Sequence, residues 1–98
     1  MSTRYTTSHR APFTSHWSKS SHDSLAHALD NAWRKYKRDY SIGDITSERK
    51  VIVSSEALAQ AFTEMDNLAR EQPTRRPYEL AEQVIREMDQ ETEIVEVP

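Results

Sequence analysis

The chain has 98 residues, 36% of them hydrophobic and 30% charged, with a net charge of −3 and no cysteine. One domain with a limited core is the most that this length supports, and a mean hydropathy of −0.86 predicts that part of it stays unfolded. The missing cysteines exclude a disulfide scaffold and a thiol nucleophile. No run reaches the roughly 20 apolar residues of a membrane span, and no apolar leader opens the chain, so a cytoplasmic protein is expected.

Residues 1–21 are rich in Ser, Thr, His and Arg and show no apolar period. This predicts a disordered basic arm, because such a segment buries too little surface to offset its chain entropy. Phe13 and Trp17 stand out within it. Aromatic side chains bury much area with few rotors, so the pair is a candidate anchor for a partner's pocket, and both rings can also stack on bases.

Residues 22–98 are assigned to a small α+β domain. A first helix is expected over 23–40, capped by Asp23 or Ser21, with Leu25, Leu29, Ala32, Trp33, Tyr36 and Tyr40 on its apolar stripe. Gly43 stands where a left-handed C-terminal cap would fall. Arg34, Lys37 and Arg38 project from the opposite side as a basic cluster that a phosphate backbone would fit. Asp30–Arg34 and Lys35–Asp39, each four residues apart, are also the pattern of an ordinary solvated face.

Ile42, Ile45 and Lys50–Val53 flank a turn at Ser47-Glu48-Arg49 and predict a hairpin. Two amphipathic helices follow. The first carries Leu58, Ala61, Phe62, Met65 and Leu68 at helical spacing, with Ser54 or Ser55 as its cap and an Asp66–Arg70 pair. Pro73 should end it. Pro77 opens the second, with Leu80, Val84, Ile85 and Met88 on one face and Glu82–Arg86 as its supporting pair. Arg75 and Arg76 lie in the break between them. The final Thr92–Pro98 segment is β-branched and predicts a third strand.

The expected order is therefore a disordered arm, then α–β–β–α–α–β, three helices on a small three-stranded sheet. This order is similar to that of the type II KH RNA-binding fold, over residues 23–97. That family grips nucleic acid with a Gly-x-x-Gly loop between its central helices. Here the loop is Pro73-Thr74-Arg75-Arg76-Pro77, without glycine, so the resemblance implies architecture and no site residue.

Chemistry is sparse. His9, His16, His22 and His27 all fall in the first 27 residues, without metal-ligand spacing. The many carboxylates sit on the polar arcs of helices, and the single glycine excludes phosphate-binding loops. Neither a catalytic site, a metal nor a cofactor is expected. Charge is unevenly spread: residues 1–50 carry nine Lys/Arg against five acids, and residues 51–98 four against eleven.

These features predict a small non-enzymatic interaction protein, an adaptor, regulator or inhibitor of the phage or plasmid accessory type, that binds a protein partner as a monomer or homodimer. Its contact candidates are Phe13, Trp17, Arg34, Lys37, Arg38, Arg75 and Arg76. Two alternatives remain. One is nucleic-acid binding through the 34–38 helix with Arg75 and Arg76, and the other is a structural or assembly component.

Overall fold

The computed structural model describes residues 4–96, with side chains described through Met88. The element order is β1 (Tyr5–Arg10), β2 (Ser18–His22), α1 (Leu25–Tyr36), β3 (Ser41–Ser47), β4 (Lys50–Val53), α2 (Ser55–Glu71) and α3 (Pro77–Glu96). All strand pairings are antiparallel, and the sheet order is β2-β1-β3-β4.

The expected disordered arm is instead the hairpin that builds half of this sheet. Its register runs from Tyr5 opposite His22 to His9 opposite Ser18. Polar strands hold here because β1 is sandwiched between two partners, so its backbone groups find acceptors and donors on both sides. Thr7 is its most buried residue at 2% exposure, and its hydroxyl is satisfied by Ser20 Oγ at 2.8 Å.

The expected C-terminal strand is a correction in the other direction. Nothing between Pro77 and Pro98 can stop a helix, since neither Gly nor Pro intervenes, and α3 runs to Glu96. Val97 and Pro98 lie outside the described residues. The order is thus β–β–α–β–β–α–α with four strands, and the similarity to the KH arrangement does not hold.

The remaining elements follow the sequence closely. Ser54 caps α2 by accepting from the Ala57 amide, and α1 is capped by Ser24, which accepts from the His27 amide, rather than by Asp23 or Ser21. The β3–β4 hairpin closes on Glu48 and Arg49, whose φ values of 52° and 68° are those of a two-residue primed turn. Gly43 is not a helix cap. Asp39 takes the left-handed conformation after α1, at φ 67°, while Gly43 lies in β3 beside an irregularity in the β1–β3 register.

Helix α1 packs on β1, β2 and β3, α2 packs on β3, and α3 bridges α1 and α2. Their stripes meet over Ile45 in a core of Leu29, Leu58, Met65, Leu80 and Val84. Each such buried side chain contributes about 1.5–3 kcal/mol relative to exposure. Within the core the Trp33 indole N–H donates to Asp66 Oδ1 at 3.0 Å. Asp66 therefore serves Trp33, whereas Arg70 turns to Asn67 instead of making the expected Asp66 pair.

Candidate interaction surface

The helices cover one face of the sheet. Alternation along β1 sends Thr7 into that layer and Ser8 to the opposite, open face. The open face is where Arg10, Trp17 and Lys19 of the hairpin collect.

The β1–β2 loop is built by local chemistry. Pro12 and Phe13 are the central residues of a β-turn closed by the Thr14 amide donating to the Ala11 carbonyl at 3.3 Å. Proline presets the backbone at the first central position. The Thr14 hydroxyl then accepts from the His16 amide at 3.1 Å. The result is a structured tip that holds Phe13 97% exposed.

Trp17, immediately before β2, is 51% exposed and lies over Gly43. A Cβ at Gly43 would stand 3.1 Å from the Ser8 Cβ and 3.7 Å from the indole, so the missing side chain lets β1, β3 and the ring approach. The Arg10 guanidinium sits 5.7 Å from the indole centroid, within cation–π range, and its Nη2 donates to Ser41 Oγ at 3.3 Å. Among the described residues its buried Nε finds no acceptor. Lys19, two residues on from Trp17, is exposed. Residues 1–22 hold Arg4, Arg10 and Lys19 and no acid at all.

Phe13 and Trp17 thus share one hairpin, joined by Arg10 and Lys19, which the sequence reading did not single out. The signal for those two was the complete lack of acids in the segment. The other candidates lie on or just after α1 and in the α2–α3 loop, and several are occupied within the fold. Arg34 pairs with Asp30 at 3.0 Å, and the Lys37 ammonium stands 4.4 Å from the Trp33 centroid. Arg75 donates to Gln72 and Gln83 at 2.9 and 2.6 Å and lies 3.5 Å from the Glu79 carboxylate, which ties the α2–α3 loop together. Arg38 and Arg76 are exposed.

Lys35 donates to Asn31 at 2.9 Å rather than pairing with Asp39, and burial lowers its pKa from the ordinary 10.5. His9 and His22 are both held below the ordinary 6.5, by burial first and by the Lys35 charge second. His22 Nε2 lies 3.1 Å from Ser20 Oγ, a serine already bonded to buried Thr7. A second serine–histidine contact, Ser24 to His27 Nδ1 at 2.8 Å, involves the serine that caps α1. Beside it an open cavity of about 230 Å³ is lined by Arg4, Ser21, His22, Asp23 and His27, with Arg4 ion-paired to Asp23.

Comparison with known proteins finds no matching family model, no matching curated protein and no matching solved structure. The geometry alone therefore supports a functional reading. Among the described residues no group of three His, Cys, Asp or Glu is placed to hold a metal, and no helix is long and apolar enough to cross a membrane.

Proposed function

We propose that this is a non-enzymatic binding protein that engages a protein partner through the β1–β2 hairpin, with Phe13 and Trp17 as its anchors. The observation that carries this reading is Phe13, presented 97% exposed on a proline-initiated, hydrogen-bonded turn. Leaving a phenyl ring in water on a fixed support costs solvation that a partner's pocket recovers, and a preformed tip loses little entropy on docking. Arg10 and Lys19 give the anchor a basic rim suited to an acidic partner surface. Such a protein acts by occupancy, as an adaptor or inhibitor does.

The test is an affinity capture from native lysate with and without nuclease, using the wild type, Phe13→Ala and Trp17→Ala. The expected result is a dominant protein that survives nuclease and is lost with either variant. Retention of that protein by both variants would overturn the assignment.

A second reading, nucleic acid on the open sheet face, draws on the acid-free hairpin. It predicts binding of single strands with a log–log salt slope of about −2 for three cations. Loss of every captured partner on nuclease treatment would favour it.

A further inference from the structure

The chain carries a second surface that complements its hairpin. Between α2 and α3 lies an open groove of about 200 Å³ lined by Glu64, Asn67, Leu68 and Glu87. A cavity of about 150 Å³ is enough to hold benzene, so the volume suits one phenyl side chain. Leu68 gives the groove an apolar wall, and Glu64 and Glu87 place a carboxylate on each helix that borders it. The groove belongs to the acidic half of the molecule, where residues 51–98 hold eleven acids against four arginines. The hairpin belongs to the segment with three cations and no acid. At 97% exposure, Phe13 does not occupy the groove of its own chain.

We infer that the partner of the hairpin is a second copy of this chain: Phe13 enters the α2–α3 groove of a neighbour, and Lys19 faces its exposed Glu87. This rests on the anchor reading given above and names its occupant. The inferred contact runs one way, with the neighbour's own hairpin left for a third copy, so the interface is heterologous. Each copy that docks its hairpin still offers an empty groove, and association either grows head to tail or closes into a ring. Opposite charges across the contact make it weaken with salt.

The test uses the full chain, by sedimentation and light scattering from about 10 μM to about 1 mM. The wild type is expected to pass beyond the mass of a dimer as concentration rises, and to fall back in high salt. Phe13→Ala and Glu87→Lys, both at exposed positions, should each weaken association by at least about tenfold. Each variant keeps one intact half of the contact. An equimolar mixture of the two should therefore form dimers and nothing larger, at concentrations where each variant alone is monomeric.

A wild type that stays monomeric to about 1 mM overturns the inference, as does a Glu87→Lys variant that assembles normally. A wild-type dimer whose two variants fail to recombine places the contact on a two-fold interface elsewhere, and also overturns it. If the chain stays monomeric while Phe13-dependent capture of another protein survives nuclease, the copy-to-copy inference fails and the anchor reading stands. Failure of both removes the anchor itself.

Discussion

Asp66 illustrates how a single side chain can be misassigned from spacing alone. Four residues before Arg70, it has the position of an ordinary helix-surface ion pair, yet its Oδ1 accepts the indole N–H of Trp33, a residue 5% exposed. Asp66→Ala leaves that donor buried without a partner, a loss of about 1–3 kcal/mol. The expected outcome is a lower urea midpoint with an unchanged m-value, and Asp66→Asn, which keeps an acceptor, should recover much of it. An alanine variant as stable as the wild type would mean that the indole finds water instead. The sequence could show that Trp33 lies on an apolar stripe. It could not show which chain segment would face the ring nitrogen, since that depends on how two helices meet.

At the scale of elements, what was legible followed from how much apolar contrast each segment carries. Helices α2 and α3 bury Leu58, Met65, Leu80 and Val84 at helical spacing, and that period is unambiguous. The β1–β2 hairpin carries no such contrast, because Tyr5, Thr7 and His9 on one face alternate with Thr6, Ser8 and Arg10 on the other. Neither face reads as a core, so composition suggested disorder where pairing supplies order. The aromatic anchors were visible in the sequence; the turn and sheet that hold them were not. At the chain's end, β-branched residues suggested a strand, but a helix already under way needs no new nucleation to continue. The turn at Glu48-Arg49 offers a direct check on element chemistry. Two non-glycine residues sit there at positive φ, where Asn-Gly is preferred. Replacing the pair by Asn-Gly should stabilise the protein by about 1 kcal/mol in chemical denaturation. No gain would indicate that the strand pairing, rather than the turn, sets the hairpin's geometry.

Across the molecule, the sheet and α1 enclose basic groups whose charged forms the fold disfavours. Burial and the Lys35 charge hold His9 and His22 below 6.5, and burial holds Lys35 below 10.5. In each case the unfolded chain takes up its proton at a higher pH than the folded chain. Stability should therefore decline as pH drops below about 6.5, until the folded-state imidazoles titrate, and it should rise again with pH through the lysine range. Urea midpoints measured from about pH 7.5 to about pH 5 check the first part, with a His9→Gln, His22→Gln variant expected to flatten the slope. A wild-type midpoint that is constant over this interval would contradict the burial described for both rings.

The two tryptophans occupy opposite environments, Trp17 half-exposed beside Arg10 and Trp33 buried against Asp66. The protein therefore contains its own pair of optical reporters. Emission from Trp17 should be open to a soluble quencher such as acrylamide, while that from Trp33 is shielded. Covering the hairpin would reduce the quenchable fraction without disturbing the shielded one, and unfolding would expose both. Docking and denaturation can then be told apart in one cuvette, with no label attached to the surface under study.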